Sequence, residues 1–380
     1  MPFSSLGLSE ILVNALIHQK YIEPYPIQEQ AIPAILEGKD VLGIAQTGSG
    51  KTISYVLPIL QLLQQRPAAK NRHIQVLVLV PTRELSVQVC EVFQLYSQVL
   101  TQRIKTMAVF GGVSINPQMI NMQGVDVLVA TPGRLLDLIS AKAVYLSNVE
   151  IIVLDEADKM LNLGFEEEMA QVFKLLPSKR QNLLFSATLE NDVNAITELL
   201  LHNPIKIKIE AEKQNLDLIN QIAYSVEDER KGPFLRYLIK QQDMQQVLVF
   251  VSSIHKADAV VSKLKINGIQ AEAMHSQKSQ GARTEALRKF KTGKLRVLVA
   301  TDIMSRGIDI PFLPFVINYE LPRSPKDYIH RIGRTGRAEN PGEAISLINY
   351  DEQHHFVVIQ RKIHKRVSLI HTDEIVLRGF

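Results

Sequence analysis

Val41-Leu42-Gly43-Ile44-Ala45-Gln46-Thr47-Gly48-Ser49-Gly50-Lys51-Thr52-Ile53 runs from a short apolar strand, through a glycine-containing loop, into the first residue of an apolar helical pattern. That order makes a phosphate cradle. Backbone N–H groups and the helix N-terminus face phosphate oxygens, Lys51 supplies a point charge, and the Thr52 hydroxyl is suited to ligate magnesium. Thr47, Gly48, Ser49 and Gly50 form the loop itself, and Ala45 stands where the generic pattern has its first glycine. The second half of such a site is an acid at the end of an apolar strand. Ile151-Ile152-Val153-Leu154 is followed by Asp155-Glu156-Ala157-Asp158. Asp155 is suited to hold magnesium, and Glu156 to orient and deprotonate an attacking water, since phosphoryl transfer depends on positioning and charge stabilisation. Taken alone, three acids after a strand are more often a cluster at a helix N-terminus, where negative charge is favoured. Their spacing from Lys51 favours the catalytic reading.

Outward from this stretch, apolar runs alternate with helical spacing. Val41–Ile44, Val76–Val80, Val127–Ala130, Ile151–Leu154 and Asn182–Phe185 mark the first half; Val247–Val251, Arg296–Ala300, Phe315–Asn318 and Ala344–Ile348 mark the second. The rhythm predicts an α/β chain with two tandem units, each a parallel sheet with helices on both faces. An internal echo links them: Val127-Leu128-Val129-Ala130-Thr131 against Val297-Leu298-Val299-Ala300-Thr301. Each ends a strand with Thr at its carboxyl end, where open α/β sheets bind ligands. The polar stretch Glu210-Ala211-Glu212-Lys213-Gln214-Asn215 lacks apolar periodicity and is predicted to be the linker. The expected division is 1–209, a linker at 210–217, a second unit at 218–366, and a short C-terminal tail at 367–380. Near the end, Arg361, Lys362, Lys365 and Arg366 lie on the basic face of a helix, which reads as a solvated face.

The 380 residues are 46% hydrophobic and 22% charged, the balance of a globular protein of about two domains. A net charge of +4 permits a polyanionic partner without requiring one. Cys90 is the one cysteine, which excludes an intrachain disulfide and fits the reducing cytoplasm. The first residues lack a basic segment followed by an apolar one, and no apolar run reaches about 18 residues, so neither secretion nor membrane insertion is expected.

Asp155-Glu156-Ala157-Asp158 resembles the signature of the DEAD-box RNA helicases, and the resemblance extends from residue 3 to about 350. Other motifs of that family appear in order: Pro81-Thr82-Arg83-Glu84-Leu85, Gly111-Gly112, Thr131-Pro132-Gly133-Arg134, Ser186-Ala187-Thr188, Gln280 with Arg283, Ala300-Thr301-Asp302 through Arg306-Gly307-Ile308-Asp309, and His330-Arg331-Ile332-Gly333-Arg334-Thr335-Gly336-Arg337. Singly several are weak; together they are specific. The resemblance implies two RecA-like domains that clamp single-stranded RNA while ATP and Mg2+ sit in the cleft between them.

The same resemblance assigns roles. Lys20 to Gln28 occupies the place of the family's adenine-reading segment, with Gln28 on the base edge and Tyr21 stacked on it. Phe3 corresponds to an isolated upstream aromatic, or simply packs. Lys20 and Tyr25 depart from the family's usual glycine and small hydroxyl residue. RNA contacts fall to Pro81, Thr82, Arg83, Gly112, Thr131, Gly133 and Arg134 in the first unit and to Gln280, Arg283 and Thr301 in the second. Arg83 could equally form an internal salt bridge, and Arg134 could pack on its own domain. Arg334 and Arg337 resemble arginine fingers, and Asp309 a ribose ligand. Asp158, Ser186, Thr188 and His330 would couple hydrolysis to domain closure, although His330 could be an ordinary buried histidine. The implied activity is RNA-stimulated ATP hydrolysis with local unwinding of short duplex RNA. Its alternative is an ATP-gated clamp or assembly scaffold. A monomer is expected, with protein partners in ribonucleoprotein or RNA-decay complexes. The opening Phe3-Ser4-Ser5-Leu6-Gly7-Leu8-Ser9 resembles the bacterial RhlE-type subgroup.

Overall fold

Strands whose every residue is buried carry apolar side chains to both faces of a sheet, and this sets the architecture. In Val76–Leu79, Val76 and Val78 enter one apolar cluster, while Leu77 and Leu79 enter another on the opposite face. Val247–Val251 repeats the pattern: Val247, Val249 and Val251 face one core, and Leu248 and Phe250 the other. Burial on both faces requires helices on both, as in all-parallel sheets generally. Each fully buried aliphatic side chain contributes about 1.5–3 kcal/mol relative to exposure, so these central strands anchor the fold.

The structure is a computed structural model and describes residues 2–46, 48–188, 191–209, 219–301, 313–335 and 342–380. Thr47, Asp309, Arg337 and the expected linker at 210–217 lie outside the described residues. The chain divides into two compact units, Met1–Ala211 and Glu212–Phe380. The first holds β1 (Val41–Ile44), β2 (Val76–Leu79), β3 (Thr106–Val109), β4 (Val127–Ala130), β5 (Ile151–Asp155), β6 (Gln181–Ser186) and β7 (Ile205–Lys208). They form a seven-stranded parallel sheet in the order β3-β4-β2-β5-β6-β1-β7. The second holds β8 (Ile219–Ser225), β9 (Val247–Val251), β10 (Ala271–Met274), β11 (Val297–Thr301), β12 (Phe315–Asn318), β13 (Gly342–Ile348) and β14 (Leu369–His371). Its order is β10-β11-β9-β12-β13-β8-β14, again all parallel. Numbered within each unit, both orders read 3-4-2-5-6-1-7. The echo between Val127–Thr131 and Val297–Thr301 is thus an echo between fourth strands.

Two sequence expectations change here. All four edge strands, β3, β7, β10 and β14, and also β8, escaped the apolar pattern. They are partly exposed, and residues such as Lys206, Lys208, Glu272 and Gln221 interrupt any continuous apolar run. The expected tail at 367–380 is the second difference. Val367 and Thr372 are buried, β14 pairs with β8, the Thr372 hydroxyl donates to the Ser225 carbonyl at 2.7 Å, and Phe380 packs edge-on against Tyr237. The basic helix face behaves as expected: Arg361, Lys362 and Arg366 are exposed. Among the described residues no helix is long and apolar enough to cross a membrane.

Candidate functional site

The loop after β1 turns on two glycines in the left-handed region, Gly48 at φ 85° and Gly50 at φ 88°, and Gly50 caps the helix Lys51–Leu63. A side chain at Gly50 would also collide, because its Cβ would overlap Gln28 Nε2 and lie 2.9 Å from the Tyr25 ring. Gln28 is fully buried. Its Oε1 accepts from the Tyr25 N–H at 2.9 Å and its Nε2 donates to the Gly50 carbonyl at 3.2 Å. The expected base-reading amide therefore ties its own segment to the phosphate loop. Tyr21 is half-buried against the apolar core, and Phe3 is a core residue, as its packing alternative held.

Lys51 is buried and donates to the Ala45 carbonyl at 2.6 Å. Burial lowers its pKa, while the carboxylates of Asp155, Glu156 and Asp158 pull it back up, so these acids lie within electrostatic reach of the ammonium. Asp155 ends β5 with 2% exposure. Burial pushes its carboxyl up to about 6, against the opposing pull of Lys51. The Tyr55 hydroxyl donates to Asp155 Oδ2 at 2.8 Å.

Glu156 adopts φ 56° and ψ 47°, a left-handed conformation that costs a non-glycine residue roughly 1–2 kcal/mol. Its Oε1 accepts from Lys159 Nζ at 2.6 Å, whereas its Oε2 is buried without a hydrogen-bond partner. Strain and an unsatisfied buried acceptor on one side chain are features that collect at functional sites. Asp158 accepts long hydrogen bonds from the Ala187 N–H at 3.4 Å and the Thr188 hydroxyl at 3.5 Å, and the Ser186 hydroxyl donates to the Thr188 carbonyl at 2.8 Å. Three of the four proposed coupling residues thus meet within the first unit. His330 is exposed on the second, which removes the reading of it as an ordinary buried histidine.

Around the first sheet's carboxyl ends, two of the proposed RNA residues, Arg83 and Arg134, meet the loop after β3 that carries Gly112. Gly112 is left-handed at φ 72°, and a Cβ there would overlap the Arg83 guanidinium, which lies directly against the glycine. Arg134 Nη2 donates to the Val113 carbonyl at 2.9 Å and its Nε to Asp137 at 3.1 Å, leaving Nη1 buried without a partner. Its packing alternative therefore holds for two of its nitrogens. The Thr82 hydroxyl caps the helix Arg83–Ser97 by accepting from the Leu85 N–H at 3.3 Å. Pro81 is buried, Thr131 caps the helix Pro132–Ser140 without a side-chain bond, and Gly133 borders open space.

In the second unit, Gln280 opens the helix Gln280–Lys291, and its Oε1 accepts from Arg283 Nη2 at 2.5 Å. Thr301 ends β11, half-buried. Arg334 lies just beyond the helix Pro325–Ile332, and its carbonyl accepts from the Leu313 N–H at 3.2 Å. Arg331 is structural: it is buried, bonds Asn318 and the Glu320 carbonyl, and lies over the Phe250 ring.

Sequence reading missed Tyr55 and Lys159. A tyrosine in an apolar helix packed on a sheet needs a partner for its hydroxyl, which points to the nearest buried acid. Lys159 stands three residues after Glu156, one helical turn away. The donor set fits magnesium. A buried carboxylate, Asp155, stands near the first residues of the phosphate-loop helix, where Thr52 succeeds Lys51, and this cation takes one or two carboxylates together with phosphates and water.

The DEAD/DEAH box helicase family model matches residues 25–196, and the helicase conserved C-terminal domain matches residues 230–339. A curated relative from Listeria monocytogenes, ATP-dependent RNA helicase CshA, is 39% identical over 367 residues, 96% of this chain and 69% of the relative. DEAD-box ATP-dependent RNA helicase CshA of Streptococcus pneumoniae is 40% identical over 97% of this chain and 69% of its own length. Among solved structures, S. cerevisiae Dbp5 bound to RNA and ADP BeF3 matches with a TM-score of 0.83 at 30% identity, covering 98% of this chain and 96% of that one. A DEAD box protein from Methanococcus jannaschii matches with a TM-score of 0.54 at 34% identity, covering 97% and 99%. These relatives' names lend no support to the RhlE-type placement of the opening residues. Two RecA-like domains, ordered motifs and extensive identity to curated helicases together place the chain in the DEAD-box helicase family.

Proposed function

We propose that this chain is an RNA-dependent ATPase that opens short RNA duplexes locally. The observation that carries the reading is the cluster of Lys51, Asp155 and Glu156 at the carboxyl ends of β1 and β5, with Asp158 bonded to Ala187 and Thr188 beside it. Its relatives' names, ATP-dependent RNA helicases, support the substrate classes. The phosphate loop would hold ATP through its backbone and Lys51. Thr52 and Asp155 would hold magnesium, which when bound supplies charge neutralisation on the phosphate oxygens. Glu156 would accept a proton from water, a role supported by one oxygen being fixed by Lys159 and the other unpaired.

Neither unit carries the whole set. Lys51, Asp155 and Glu156 belong to the first unit, whereas Arg334, Gln280, Arg283 and Thr301 belong to the second, with Arg337 and Asp309 assigned there by resemblance. If ATP and RNA both favour the closed arrangement, each must favour the other's binding, because coupling free energy is reciprocal. The groove residues suit phosphate and sugar, which position a strand without reading its sequence. If about five phosphates are neutralised, log K should fall against log salt with a slope near roughly −3.5. Action as a cytoplasmic monomer with ribonucleoprotein or RNA-decay partners belongs to the same proposal.

The test is steady-state hydrolysis with and without RNA, with DNA of the same sequence as control, together with duplex displacement in ATP and in a non-hydrolysable analogue. RNA should stimulate and DNA should not. Displacement that never occurs, despite stimulated hydrolysis, would instead favour an ATP-gated clamp. Absence of RNA stimulation would overturn both.

A further inference from the structure

Tyr55 lies on the helix Lys51–Leu63, one turn beyond Thr52, and is fully buried. Its ring packs against Phe185 at 5.3 Å and Phe93 at 6.4 Å between centroids. In that apolar setting the hydroxyl has two polar neighbours. It donates to Asp155 Oδ2 at 2.8 Å, and the Thr52 side chain lies within its hydrogen-bonding environment. Those neighbours are the two side chains proposed above to hold magnesium.

A carboxylate at the end of a strand turns about a soft, roughly two-fold terminal torsion. A hydrogen bond from a rigid, buried donor removes that freedom. The Tyr55 ring is fixed by its aromatic neighbours and by the helix that also carries Lys51 and Thr52. Its hydroxyl therefore sets the Asp155 carboxylate in a fixed relation to the phosphate loop, with Oδ2 occupied and Oδ1 left for a cation.

We propose that Tyr55 is a positioning residue for the magnesium–nucleotide complex, holding the Asp155 carboxylate so that its second oxygen faces the cation. This rests on the reading of Asp155 as the magnesium acid. Groups that orient metal ligands in this way typically change metal affinity by about 10–100-fold when removed.

The test uses the full chain, a fluorescent ADP analogue and a magnesium titration, with no turnover step. Tyr55→Phe keeps the ring and removes only the donor. Wild type and Tyr55→Phe should bind the analogue equally in EDTA. The magnesium concentration that gives half the tightening should rise by about tenfold or more in Tyr55→Phe. Asp155→Asn should abolish the tightening, and adding Tyr55→Phe to it should change nothing further, because the two act as one unit. Should wild type show no magnesium-dependent tightening, or Asp155→Asn keep it, the assignment of Asp155 itself fails. An unchanged midpoint in Tyr55→Phe, with Asp155→Asn behaving as expected, overturns the role of Tyr55 alone. So does an equal loss of affinity in EDTA and in magnesium, which marks packing and not positioning.

Discussion

The two units share a strand order of 3-4-2-5-6-1-7 yet differ in the segments that leave their equivalent strands. After β1 come Gly48 and Gly50 in left-handed conformations and then Lys51. After β8 come Val226 and Glu227, with Asp228 and Glu229 in the first helical turn. Acids there complement the helix N-terminus themselves and repel a phosphate, so the described segment after β8 forms no equivalent cradle. After β5 the strained Glu156 leaves an oxygen unpaired. After β12 the carboxylate of Glu320 accepts from both the N–H and the hydroxyl of Ser252, each at 2.7 Å. One sheet thus carries an acid with unused capacity, and the other an acid committed to its own fold. Topology is common to both; chemistry resides in the connections.

The sharpest way to break this contrast is Glu156→Gln. Size is kept, but the base and its charge pairing with Lys159 are lost. RNA-stimulated hydrolysis should fall by about 10²–10⁴-fold, the usual worth of a general base, while ATP and RNA still bind. Hydrolysis near the normal rate would show that the unpaired oxygen is not the proton acceptor.

Gln28→Ala comes next. It leaves the Tyr25 N–H and the Gly50 carbonyl without their partner, at about 1–3 kcal/mol for a buried group, so nucleotide affinity should drop by roughly tenfold to a hundredfold. Relative preference for ATP over GTP should also relax if the remaining donor and acceptor of this amide meet the base. Equal weakening of both nucleotides would restrict Gln28 to tethering the loop.

A single substitution made in both units extends the comparison. At Gly112 alanine must adopt φ 72° and displace the Arg83 guanidinium. It should cost roughly 1–2 kcal/mol of stability and weaken RNA binding about tenfold. Exposed Gly281, within the helix Gln280–Lys291, has nothing within 4 Å of a new Cβ, so alanine there should stabilise by up to about 1 kcal/mol. Thermal unfolding and RNA titration separate the two; equal behaviour would remove the Gly112–Arg83 contact from the RNA site.

The central strands and the phosphate loop were legible because each has a local signature: continuous apolar runs, and glycines followed by Lys51. Edge strands were not, since β7 is exposed at three of its four positions and its sequence Ile205-Lys206-Ile207-Lys208 reads as surface. The order of the strands was likewise beyond periodicity, which carries no information about neighbours. Motif resemblance located Arg83 and Arg134, but that both converge on the loop after β3 depends on long-range packing. The Gln28 bond to Gly50 joins residues 22 apart in sequence, and Tyr55 to Asp155 spans 100. Neither spacing follows a local periodicity, so the need of the Tyr55 hydroxyl for a partner is legible while the identity of that partner is not.

The smallest effect provides the closest match between units. Thr82 after β2 and Ser253 after β9 occupy equivalent places, and each caps the next helix: Thr82 accepts from Leu85 N–H at 3.3 Å, and Ser253 from Lys256 N–H at 3.2 Å. Replacing either by alanine leaves one helix N–H without its side-chain acceptor and should cost about 1 kcal/mol. If the cap is the whole role of both, Thr82→Ala and Ser253→Ala lower stability alike and leave RNA affinity unchanged. Thr82 is assigned to the RNA groove by resemblance, whereas Ser253 is not. Thr82→Ala should therefore weaken RNA binding beyond its stability cost, and Ser253→Ala should not. Thermal unfolding fixes the first quantity for each variant, and titration of single-stranded RNA well below the unfolding temperature fixes the second. Equal RNA affinities for the two variants would mean that the equivalence of the sheets extends to this pair, and that Thr82 serves the helix and not the strand of RNA.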